Sequence, residues 1–185
     1  MREIVFNGAL VRYRTWGEGA AVALLHSGGS SSAQWERIAP ALAPVRTVIA
    51  PDLLGFGATE AWPAKGALTH DLQADMVAEV VRAAIGAGAI DIVGHSYGGA
   101  TATRLALRHP ELVRSLVLIE PVISHLLRDA GDPLYPASVE VAHLHRGRRR
   151  GAPRERLGGL HRQPQWRGHV VKSTAVETSE VPRAV

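Results

Sequence analysis

Hydrophobic positions along the first two thirds of the chain fall into two periods, one of strands and one of helices. Residues 3–6 and 10–16 are short β-type runs separated by Asn7-Gly8, a dipeptide that between such runs predicts a hairpin. Residues 20–25 are an unbroken apolar run, the signature of a strand buried on both faces. Residues 33–42 read as a helix ended by Pro44, and residues 45–50 as another buried strand before a turn-rich stretch at 51–59. From Thr69, a good helix cap, Leu72, Met76, Val77, Val80, Val81 and Ala84 recur with a helical period. Gly86 and Gly88 close that helix near residue 85. Residues 90–93 predict a strand and 98–108 a helix stopped by His109-Pro110. Residues 116–119 predict a sixth strand, ended by Glu120-Pro121. Alternation of strands and helices after an opening hairpin predicts an α/β fold. Its mostly parallel sheet carries helices on both faces, with parallel pairing from the third strand onward.

Composition narrows the classes. With 185 residues, 46% hydrophobic and 21% charged, the chain suits one globular domain with a sizeable core. The absence of cysteine excludes disulfides and thiolate–zinc sites. The longest apolar run near the front, residues 20–25, is far too short to span a bilayer. Residues 1–7 carry Glu3 and no long apolar core, unlike a secretory signal. These features predict a cytoplasmic protein without a membrane partner.

Charge divides the chain. A net charge of +4 with a pI near 10.1 invites a nucleic-acid reading. Residues 1–143, however, hold ten Arg and one Lys against fourteen carboxylates, a net of −3. Residues 144–185 hold nine Arg and one Lys against three Glu, a net of +7. The first part is the expected domain, and the second a basic Arg-, Gly- and Pro-rich tail expected to be disordered or loosely packed. An arginine-rich arm for nucleic acid is one account of the tail. A shifted reading frame in a GC-rich gene explains the abrupt change better, and no nucleic-acid partner is expected. Written with GC-rich codons of our choosing, residues 143–150 read from the second base give Thr-Phe-Ile-Ala-Ala-Val-Asp, with apolar residues restored.

Gly94-His95-Ser96-Tyr97-Gly98 is a G-x-S-x-G pentapeptide between a predicted buried strand and a predicted helix. That context is the one a nucleophile elbow requires. The turn is too tight for side chains at the two glycines. It holds the serine in strained φ/ψ, with its hydroxyl clear of the sheet and a helix N-terminus behind it.

Three further segments occur in matching order: His26-Ser27-Gly28-Gly29 after the third strand, Asp52-Leu53-Leu54-Gly55-Phe56-Gly57 after the fourth, and Arg108-His109-Pro110 before the sixth. Together with the pentapeptide they make the chain resemble an α/β-hydrolase fold protein of the esterase, lipase and carbon–carbon bond hydrolase group, over roughly residues 3–143. On that resemblance residues 1–143 are the N-terminal part of the hydrolase domain with the start of its cap. The fold is incomplete, truncated or frameshifted after about residue 143. The resemblance implies Ser96 as nucleophile and the Tyr97 backbone N–H as one oxyanion donor. The second donor is Gly28 or Ser27, because Ser27 stands where the family has its usual glycine. It implies hydrolysis of an ester or related bond in a small-molecule substrate, without metal or organic cofactor. His26 and His95 would support the loop and the elbow and Asp52 would stabilise a turn, while Trp35 and Phe56 either pack or line a substrate entrance.

A serine nucleophile needs a base, and the base an orienting acid. Glu120, directly after the sixth strand, is the candidate acid, and no histidine matches the family's catalytic position. His145, His161 and His169 lie in the tail, outside any strand–loop context. The expectation is an impaired hydrolase. The alternatives are a catalytically inactive remnant or binding protein, or a nucleic-acid-associated protein acting through the tail. Substrate and oligomeric state are not legible.

Overall fold

The computed structural model describes residues 1–62 and 67–123. The segment 124–185 lies outside the described residues. With it go the boundary at 143, the expected looseness of the tail, and His145, His161 and His169.

Six strands form one sheet: β1 (Arg2–Phe6), β2 (Ala9–Trp16), β3 (Ala20–Leu25), β4 (Arg46–Pro51), β5 (Ile90–His95) and β6 (Val113–Ile119). Three α-helices interleave with them: α1 (Ala39–Leu42), α2 (His70–Ile85) and α3 (Tyr97–Arg108). The spatial order is β1-β2-β4-β3-β5-β6. β1 pairs antiparallel with β2, and β2 with β4, whereas β3 pairs parallel with β4 and β5, and β5 with β6. The expected opening hairpin and the parallel pairing from β3 onward are both present. Asn7 (φ 46°) and Gly8 (φ 84°) make the hairpin turn with two positive φ values, the geometry that matches strand twist.

Strand alternation assigns the two faces of the sheet. Ala21, Ala23 and Leu25 of β3, Ile49 of β4 and Ile92 of β5 enter one core with Met76, Val77 and Val80 of α2 and Ala102 and Leu105 of α3. Val22, Leu24, Val48 and Ala50 point to the opposite face and pack with Trp35 and Ala39. Helices therefore lie on both faces, as the alternating pattern predicts.

The helix expected over residues 33–42 is split. A 3-10 helix spans Ser32–Trp35 and a single turn, α1, spans Ala39–Leu42. Pro40 sits in the first turn of α1. It has no N–H to donate and its ring collides with the carbonyl four residues earlier, so one continuous helix cannot pass through it.

Asp91 knits the strand starts opposite the elbow. It accepts a bidentate pair from Arg114 (3.0 and 2.7 Å), and single bonds from Ser115 (2.6 Å) and Arg46 (2.8 Å). The Arg114 hydrogen bonds, reinforced by Ser115 and Arg46, hold its pKa down to about 2 against an opposing desolvation. A depressed carboxylate pKa contributes stability above the unfolded value and loses it as pH falls through the folded one. Acid titration of unfolding should therefore show a loss of about 1–2 kcal/mol between about pH 4 and pH 2, screening included. In Asp91→Asn that step should be missing.

Candidate active site

Successive connections from β3 leave on opposite faces. The link to β4 carries Trp35 and Ala39, and the link from β4 to β5 carries α2. In open α/β sheets such a reversal leaves a crevice outside the carboxyl ends of the strands. Two segments meet there: the loop after β3 and the turn between β5 and α3.

Ser96 is the single residue between β5 and α3, at φ 53° and ψ −112°. Positive φ costs a non-glycine residue on the order of 1–3 kcal/mol and persists where the surroundings over-determine it. The surroundings here are close. A Cβ at Gly94 would lie 2.5 Å from the Gly98 carbonyl oxygen and 2.8 Å from Ala102 Cβ. A Cβ at Gly98 would overlap the Leu25 carbonyl oxygen and lie 2.5 Å from that of His26. The backbone is also pinned by hydrogen bonds. Ser96 N–H donates to the Ile119 carbonyl (2.9 Å), and the Ser96 carbonyl accepts from Ala100 (3.1 Å) and Val122 (3.1 Å). Among the described residues the Ser96 hydroxyl has no hydrogen-bond partner, and the residue is half-buried.

The loop after β3 is anchored by His26, which is fully buried. The Leu53 N–H donates to His26 Nε2 (3.0 Å), so the ring proton is on Nδ1 and goes to the Ser27 carbonyl (2.8 Å). Burial lowers the His26 pKa, opposed by the Ser27 hydrogen bond and the charge of Asp52. Ser27 spends every donor it has: its N–H (3.0 Å) and its hydroxyl (2.9 Å) both go to Gln34 Oε1. Gly28 N–H has no partner among the described residues. A Cβ on Gly28 would be 3.4 Å from Tyr97 Cβ, so this peptide lies against the first residue of α3.

Sequence reasoning missed several supports. Asp52, read as a turn stabiliser, ties two loops by accepting from Ser32 N–H (2.6 Å) and Ala58 N–H (2.7 Å). Gln73, buried on the apolar face of α2, accepts from Leu54 N–H (2.9 Å), donates to its carbonyl (3.0 Å) and reaches the Tyr97 hydroxyl (3.4 Å). The Tyr97 ring sits between Phe56 (5.3 Å) and His70 (4.4 Å). His70 Nδ1 meets the Thr101 hydroxyl (3.0 Å), which lies 3.2 Å from the Tyr97 carbonyl. The one available signal was a glutamine inside an apolar helical stripe. Trp35 and Phe56 are buried in the two cores and pack.

The sequence model of the alpha/beta hydrolase fold matches residues 20–148, well over half of the chain. The chain belongs to the alpha/beta hydrolase fold family. A 2-hydroxymuconate semialdehyde hydrolase of Pseudomonas sp. (strain CF600) is 40% identical over 121 residues, covering 64% of this chain and 42% of that protein. A soluble epoxide hydrolase of Corynebacterium sp. (strain C12) is 34% identical over 143 residues, 77% of this chain and 48% of that one. An esterase of Mycobacterium tuberculosis is 37% identical over 128 residues, 69% and 42% respectively. The chain thus spans less than half the length of each of these three relatives. Among solved structures, a serine-to-alanine variant of the meta-cleavage product hydrolase of Pseudomonas fluorescens IP01 superposes with a TM-score of 0.58 at 34% identity, over 65% of this chain and 45% of that one.

Within this family member the remaining expected site residue, Glu120, stands at φ 45° at the end of β6, exposed and with no partner among the described residues. The four described histidines are engaged elsewhere: His26 and His70 as above, His95 with Gln34 (3.1 Å), and His109 with Asp75 (2.9 Å). None is hydrogen-bonded to the Ser96 hydroxyl. Among the described residues no group of three His, Cys, Asp or Glu could hold a metal ion, and no helix is long and apolar enough to cross a membrane.

Proposed function

We propose that Ser96 is the nucleophile of a hydrolase acting on an ester or related bond of a small molecule. The observation that carries this reading is the Ser96 conformation, a positive φ held between two glycines that admit no side chain. The Ser96 oxygen attacks the carbonyl carbon as its hydroxyl proton passes to solvent water, the oxyanion forms and collapses, the leaving group departs with a proton from solvent, and water hydrolyses the acyl-serine to the acid and free Ser96. Of the two candidate donors after β3, the geometry favours Gly28, since Ser27 has already committed its N–H to Gln34. Gly28 N–H and Tyr97 N–H would then bind the oxyanion, a contribution worth about 2.7–4 kcal/mol of barrier per donor. Glu120 is the candidate acid for a base that the described residues do not supply. We therefore propose an impaired enzyme.

A fluorophosphonate probe with peptide mapping, beside turnover of an activated aryl ester, tests both parts. Slow labelling at Ser96 is expected. Turnover should be weak, at most the ~10³–10⁴-fold over water that an oxyanion site and binding can give without a base. Ser96→Ala should abolish the label and lower turnover little. Robust turnover lost in Ser96→Ala would refute the impairment and point to a base outside the described residues. Labelling elsewhere than Ser96 would refute the nucleophile.

A further inference from the structure

The donors and acceptors around Gln34 admit one arrangement only. The Ser27 backbone N–H can donate but never accept, and it lies 3.0 Å from the Gln34 side-chain amide. The atom facing it must therefore be the amide oxygen, which the Ser27 hydroxyl also approaches at 2.9 Å. The amide NH2 then faces His95 Nδ1 at 3.1 Å. A donor facing Nδ1 requires a bare lone pair there, so the imidazole proton of a neutral His95 is on Nε2.

Strand geometry explains why His95 is available for this contact. Val93 lies on the sheet face that packs with Trp35, and His95 follows it two residues on, projecting to the same face. Gln34 precedes Trp35 in the 3-10 helix on that face. Ser96 turns away from the strand at its positive φ.

We infer that Gln34 is a positioning residue: its amide, oriented by Ser27, fixes His95 as the Nε2–H tautomer and fastens the loop after β3 to the turn that carries Ser96. Two consequences follow from the same bonds. Ser27 cannot offer its N–H to an oxyanion while Gln34 holds it, which leaves that place to Gly28. His95, the immediate neighbour of Ser96, has no free ring lone pair, one being taken by Gln34 and the other by the proton, so it cannot act as the missing base. The bearing on catalysis rests on the reading of Ser96 as nucleophile; the hydrogen-bond assignment does not.

The test is a histidine-ring ¹H–¹⁵N correlation spectrum of the full chain near neutral pH, with His95 assigned by its substitution. The expected wild-type pattern is an unprotonated Nδ1 and a protonated Nε2. In Gln34→Glu the carboxylate still accepts from Ser27 but has nothing to donate to His95, so the pattern should invert to Nδ1–H. Gln34→Met, of similar shape without hydrogen bonds, serves if Gln34→Glu does not fold. It should release the tautomer preference and speed exchange of the Ser27 amide about fivefold or more. In the same variant Ser96 acylation by an activated ester should slow with its KM unchanged. A wild-type Nδ1–H, or a tautomer that neither variant moves, overturns the inference. The expected tautomer pattern together with no Ser96 labelling in any variant refutes the nucleophile and supports the positioning of His95 by Gln34.

Discussion

Gly98→Ala is expected to cost about 3 kcal/mol and to lower the unfolding midpoint by on the order of 10 °C. The added methyl would overlap the Leu25 carbonyl oxygen and come within 2.5 Å of the His26 carbonyl. Both obstacles are backbone, and Leu25 is paired with Gly94 in the β3–β5 ladder. The strand end cannot retreat without loosening that pairing, and α3 cannot retreat without opening the turn at Ser96. Gly8→Ala is the control. Its site is open, with nothing within 4 Å, but at φ +84°, so it should cost only the left-handed penalty of about 1–2 kcal/mol. Urea unfolding of both variants compares the two costs. Equal stability of the two variants would show that the elbow has room its geometry denies. Labelling of Ser96 should fall in Gly98→Ala and persist in Gly8→Ala.

Asp52→Ala should be as damaging, about 3 kcal/mol, because it strips two backbone donors of a charged acceptor. Asp52 is 2% exposed, and Ser32 N–H and Ala58 N–H have no other partner among the described residues. Asp52→Asn should rescue little. One amide oxygen can serve one N–H, while its NH2 is forced against the other. The next residue supplies the N–H that anchors His26, and His26 in turn holds Ser27. Loss of stability should therefore come with loss of Ser96 labelling. Full rescue by Asp52→Asn in equilibrium unfolding would mean that the two bonds do not act through the carboxylate.

Most of the scaffold was legible because its signals are local. Strand β3 is an apolar run, α2 a helical stripe behind Thr69, and the hairpin an Asn-Gly pair. These fix backbone conformation within a few residues of themselves. The split of the helix over 33–42 was missed although its signal is just as local, since Pro40 forbids continuity. The elbow was legible because its two glycines and serine are contiguous and their steric need is internal to the turn.

What the chain order could not convey is which groups meet across the sheet. Nothing in the run of residues 46–51 says that β4 inserts between β2 and β3. Ser27 and Gly28 were both candidates in the sequence, and only the fold shows that Gln34 already holds the Ser27 N–H. The face on which His95 lies, the two loops that Asp52 joins and the seat of Gln73 under Tyr97 are likewise long-range. The sequence by itself determined the elements and the turn that strains Ser96, because sterics and periodicity act between neighbours. The tertiary structure decided which polar groups are already spent and which remain free, because a hydrogen bond is a contest among donors and acceptors that only folding brings within 3 Å or so of one another.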